Sequence, residues 1–190
     1  MTESGTLHDA FIDELRDTYD MEKQLTKALP KLAKAATSDE LRTAFEDHLE
    51  ETKNQIARLD QVFAILDEKP RGKHCAGIAG IIEEGGEMMA EDFTDEAMDA
   101  VLISAAQRAE HYEISAYGTL IAWATAMGHD DTIKFFQQNL DEEKAADEKL
   151  TSLAEGGINQ DAGDMAHAGE DEDENEEPKK VAASPAKRAK

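Results

Sequence analysis

Four stretches of this chain repeat apolar residues at alternating steps of three and four, and a carboxylate interrupts each stripe near its middle. The first reads Leu7, Phe11, Leu15, Thr18, Glu22, Leu25, Leu29, Leu32. The second reads Leu41, Phe45, His48, Thr52, Gln55, Leu59, Val62, Leu66, with Glu51 one turn from His48. The third reads Met98, Leu102, Ala106, Ala109, Glu113, Ala116, Leu120, Trp123, with Glu110 alongside, and the fourth Ile133, Phe136, Leu140, Glu143, Asp147, Leu150. Apolar residues at this spacing mark the buried face of a helix. An ionised carboxylate on such a face is costly unless it is paired or bound to a metal. Four matched interruptions therefore point to one shared site.

The rest of the chain supports an all-α fold. Ala, Leu, Glu, Asp and Lys dominate, which favours helix. Runs of β-branched residues bounded by turn signals are absent, so no strand is expected. Helices are expected over residues 7–36, with Pro30 as a kink, 39–67, 95–127 and 130–154. A shorter helix over 78–91, interrupted at Gly85-Gly86, falls inside the long connection. Short turns near 37–39 and 128–130 make two antiparallel hairpins, and the long crossover between them gives a ferritin-like four-helix bundle. Residues 1–155 are read as this bundle. Residues 156–190, with few large apolar groups, an acidic run and then a basic end, are read as a disordered tail.

Charge and cysteine content exclude several roles. A formal net charge of −23 opposes general binding to nucleic acid or to an anionic membrane surface. Weak contact with nucleic acid is left only to the basic tail end, where the neighbouring acidic run competes for the lysines. The single cysteine, Cys75, rules out an internal disulfide framework and disfavours a Cys-based zinc site. No signal-peptide pattern or membrane-spanning stretch is read, so a cytoplasmic location is expected.

Helix geometry lets the carboxylates meet. Glu22 lies as far before the first turn as Glu51 lies after it, about 21–23 Å along the axis, and Glu113 and Glu143 match around the second turn. Glu110 and Glu113 are one turn apart and can aim at the same volume. The expected metal site is thus Glu22, His48, Glu51, Glu110, Glu113 and Glu143. So many anionic oxygens in one buried layer would be forced to protonate unless cations shared it. A carboxylate-rich set with one imidazole suits iron or manganese, and two ions would neutralise it most completely. The alternative is a polar, partly solvated layer satisfied by Arg, Lys or water. Asp147 and Glu84 are left open as additional ligands, and His111 is read as facing solvent or an interface. Tyr19, Tyr112 and Tyr117, Cys75 and the pair Met88-Met89 are read as core or loop residues.

The segments LHDAFIDELRDTYDMEKQL, HLEETKNQIARLDQVF, AAQRAEHYEISAYGTL and LDEEKAADEKLTSLA resemble those of the YciE/YciF-type ferritin-like bacterial stress proteins over about residues 7–155. The resemblance implies a homodimer of bundles with an additional short helix, structural kinship to rubrerythrin and other di-iron carboxylate proteins, and induction under stress. The chain departs from the general di-iron pattern, which places Glu-x-x-His on two helices. Three residues after Glu51 stands Asn54, and three after Glu143 stands Ala146. The leading functional expectation is a dinuclear iron or manganese protein acting on peroxide or oxygen species. The other is a non-catalytic dimeric stress or interaction protein whose site is structural or vestigial.

Overall fold

The computed structural model describes residues 5–167. Among them every regular element is helical: α1 (Leu7–Ala35), α2 (Asp39–Ile65), α3 (Ala76–Met88), α4 (Asp95–Met127), α5 (Asp130–Leu153) and α6 (Asn159–His167). A π-helical turn, Ala154–Ile158, joins the last two.

Local chemistry sets the helix ends. Thr6 and Asp9 form a reciprocal capping box at the start of α1, so two otherwise orphaned backbone donors are satisfied. Ser38 accepts from the Leu41 amide and Thr94 from the Ala97 amide, starting α2 and α4. Gly128 stops α4 at φ 74°, a left-handed conformation that glycine adopts without steric cost. Pro30 does not end α1, which continues through it to Ala35 with the ring on the exposed side. Gly85-Gly86 do not interrupt α3 either. Gly85 is buried against α4, where an added Cβ would stand 3.4 Å from that of Ala105.

Burial of the stripes assembles the bundle. α1 packs on α2 and α4, and α5 packs on the same two helices, so α1 and α5 occupy one diagonal and α2 and α4 the other. The crossover returns the chain to the end where α1 turns into α2. It runs beside α1, with the Lys73 amide donating to the Arg16 carbonyl at 3.0 Å and the Cys75 amide to Asp20 Oδ2 at 2.9 Å. α3 then packs on α4 and α1. Asp99, near the start of α4, locks the α1–α2 turn by accepting from the Thr37 amide (2.8 Å), the Thr37 hydroxyl (2.6 Å) and the Ser38 amide (2.8 Å). Two hairpins with one long crossover are the ferritin-like arrangement expected from sequence.

One expectation needs correction. Disorder was expected from residue 156, yet residues 156–167 are ordered as the π-helical turn and α6. Gly157 adopts φ 152° inside the turn and redirects the chain, so that α6 lies against α4. α6 contains no buried residue, so it carries none of the apolar periodicity by which a helix is read from sequence. Residues 168–190, with the expected acidic run and basic end, lie outside the described residues. No helix among the described residues is long and apolar enough to cross a membrane.

Candidate metal centre

The stripe positions converge as the helix heights require. Glu22 on α1, His48 on α2, Glu110 and Glu113 on α4, and Glu143 on α5 are all buried, none more than 5% exposed. His48, Glu110, Glu113 and Glu143 each offer one donor atom, and these four atoms lie within 4.8 Å of one another. His48 Nε2 stands 3.4 Å from Glu110 Oε1 and 3.5 Å from Glu143 Oε2. Glu22 enters from α1, accepting a short hydrogen bond from the Tyr117 hydroxyl on Oε1.

This cluster is starved of donors. Glu22 Oε2, Glu110 Oε2, both oxygens of Glu113 and Glu143 Oε2 are buried without a hydrogen-bond partner. Native proteins rarely leave buried polar atoms unsatisfied, and several on one spot call for an ion or water. Burial and mutual repulsion push every carboxyl here above its ordinary range. Burial acts most strongly on Glu113, followed by the charges of Glu143, Glu22 and Glu110. Glu22 is raised by burial and then by Glu143, and Glu143 by burial and then by Glu110, against the opposing His48. Glu110 rises to about 8, chiefly through burial. Burial alone would depress His48, but Glu51, Glu143 and Glu22 together reverse this and lift it. Oxygen donors with one imidazole, crowded together without compensating positive charge, form a cluster that could hold a metal ion.

The structure brings five of the six expected ligands together and leaves Glu51 outside. Its side chain is 48% exposed and reaches only the back of the imidazole, with Oε2 3.2 Å from His48 Nδ1. The cause is helical phase. Thr52 and Gln55, both fully buried, hold the centre of the α2 stripe, and Glu51 falls at its edge. The contact still has a consequence: an Nδ1–H donating to Glu51 leaves the Nε2 lone pair facing Glu110 and Glu143. The open positions resolve away from the centre. Asp147 accepts from Gln107 at 3.0 Å and stands 3.3 Å from the exposed His111, on the outer side of the α4–α5 pair. Glu84 faces Arg108 at 3.6 Å in solvent. Tyr19 donates to Asp60, and Tyr112 meets Cys75.

A surrounding network emerges that the stripes alone did not identify. Gln55 donates Nε2 to Glu143 Oε1 in a short hydrogen bond. Arg58 forks onto Glu142 with two 2.6 Å contacts and donates to Asn139 Oδ1 at 2.6 Å. Asn139 in turn donates to the Tyr117 hydroxyl at 2.9 Å. The legible signal was spacing: Arg58 follows Gln55 by three residues, and Glu142 follows Asn139 by three, on facing helices.

A family model described as "Domain of unknown function (DUF892)" matches residues 6–163. The chain belongs to the DUF892 family. Protein YciF of Escherichia coli (strain K12) is 46% identical over 162 residues, covering 85% of this chain and 98% of that protein. The crystal structure of the E. coli stress protein YciF superposes with a TM-score of 0.78 at 46% identity, over 82% of this chain and 98% of that one. A solved structure from Rhodopseudomonas palustris, YcfI, described provisionally as a structural protein, gives a TM-score of 0.77 at 47% identity, over 80% of this chain and 98% of that one. A Xanthomonas campestris protein at 21% identity (TM-score 0.66, 86% and 99% covered) shares the fold.

Proposed function

We propose that this protein is a stress-response member of its family, cytoplasmic and homodimeric, whose bundle holds two iron or manganese ions and acts with them on peroxide or related oxygen species. The observation that carries this reading is the set of partnerless buried oxygens on Glu22, Glu110, Glu113 and Glu143 around His48. Those five residues would hold the metal. When bound, it would supply Lewis acidity and a change of redox state. The chain's own groups set the terms. Tyr117 occupies Glu22 Oε1 and Gln55 occupies Glu143 Oε1, so each carboxylate keeps its Oε2 free. Glu51 fixes the His48 tautomer from the rear. The carboxylates themselves are buried, which strengthens each charge interaction among them. The stress role rests on the printed description of E. coli YciF at 46% identity.

A second reading, a structural protein with a residual site, draws on the imidazole-poor donor set at Asn54 and Ala146 and on the description of the R. palustris relative. Metal counting decides between them. Protein reconstituted anaerobically with Fe²⁺ or Mn²⁺ is expected to retain about two ions per chain, and Glu143→Ala to lose most of them. Retention well below one ion by the wild type would sink the metal reading. A loaded protein that leaves peroxide decay at the buffer rate would support the structural one.

A further inference from the structure

The buried carboxylates are reached from one side of the bundle by a cleft of about 230 Å³ between α2 and α5. His48 and Glu110 form its floor, and Glu110 Oε2, on a residue 3% exposed, lies there without a partner. Its walls owe their width to small side chains, Ala44 on α2 and Ala145 and Ala146 on α5. Ala146 stands where the general di-iron pattern places an imidazole, so the truncated side chain opens the seam. Asp47 and the exposed Glu51 line the α2 side, against one cation, Lys149, on α5. The opposite side of the bundle, between α1 and α4, is covered by α3.

We propose that this seam is the port by which divalent cations reach the centre, Glu51 being the first carboxylate met and Glu110 the next. The inference rests on the reading that the layer holds metal, and it gives Glu51 a place that its exposure denies it as a resident ligand. The acidic rim draws cations from a surface already strongly negative, and partnerless Glu110 Oε2 draws them inward. Among the described residues, neither Glu51 nor Glu110 is held by Arg or Lys; the one cationic partner of each is the His48 imidazole.

The test follows loading of chelator-treated full-length protein with Co²⁺ alone, by stopped-flow absorption of its visible bands. Asp47→Asn, which removes a charge from the same rim without touching the His48 contact, and Ala146→Leu are each expected to load to the wild-type final number, but about tenfold more slowly. Asp47 is exposed, so its variant remains folded and informative even if the Ala146 variant does not. Wild-type loading rates in the Asp47 variant would overturn the port. A lowered final number in that variant would also overturn it, by making Asp47 a resident ligand. Failure of the wild type to load Co²⁺ removes the metal reading itself, so the two failures are distinguishable.

Discussion

Glu113 is fully buried with neither carboxylate oxygen partnered, so in metal-free protein it stays folded most cheaply as the neutral acid. The same holds for its neighbours, and this gives the protein an unusual pH dependence. Glu110 titrates at an ordinary 4.5 when unfolded and at about 8 when folded. Between those values the native state binds the extra proton, so stability is fully present below pH 4.5 and is lost as pH rises towards about 8. His48, also raised, acts in the same direction. The melting temperature of chelator-treated protein is therefore expected to fall steadily across that window. Saturating Mn²⁺ should flatten the slope, because the loaded carboxylates are ionised and bind no proton to lose. A metal-free melting temperature that rises with pH would contradict the neutral-acid core. Five of these buried positions were legible because burial cost attaches to the residue type itself. Glu51 stands at the edge of its stripe because a residue three after His48 lies about 4.5 Å further along the axis and about 60° off its direction. Sequence gives height well and phase only to within that margin.

At the scale of elements, one side chain fastens separate helices far from the site. Asp99 of α4 satisfies two backbone amides and one hydroxyl in the α1–α2 turn, and it is 4% exposed. Asp99→Ala leaves those donors unpaired and is expected to lower unfolding stability by about 2–3 kcal/mol, read from urea titrations. Glu110 lies three turns further along α4, about 16 Å away, so saturating metal content should stay at the wild-type number. Loss of both would mean that the turn and the ligand layer behave as one unit. The four long helices were readable because each is driven by a stripe and closed by a cap. α3 and α6 were harder for opposite reasons. α3 forms across Gly85-Gly86 through packing that no local signal encodes, and Gly77 in its first turn admits Tyr112, whose hydroxyl oxygen would stand 2.5 Å from a Cβ there. α6 buries nothing and depends on the redirected chain at Gly157.

Across the whole molecule, two electrostatic burdens differ in depth. The formal charge is −23, and residues 168–190 hold seven acids against five bases, so nearly all of the excess lies in the helical body. Self-repulsion among exposed charges destabilises the compact state and is screened by salt. The carboxylate layer sits where screening ions do not reach, and only a bound cation or a proton relieves it. Salt and metal should therefore act on separate terms. The melting temperature of metal-free protein is expected to climb as NaCl rises from about 0.01 M to about 1 M, with the surface contribution saturating as the Debye length falls to about 3 Å. At the top of that range, saturating Mn²⁺ should still raise it further, by mass action on the native state alone. Removing Glu143 separates the two. The Glu143→Ala protein should keep the salt response and lose most of the manganese response, since it retains the surface charge and forfeits a ligand. If salt alone raised the melting temperature as far as salt and manganese together, the buried layer would carry no charge that needs a cation, and the centre would have to be read as a neutral polar core.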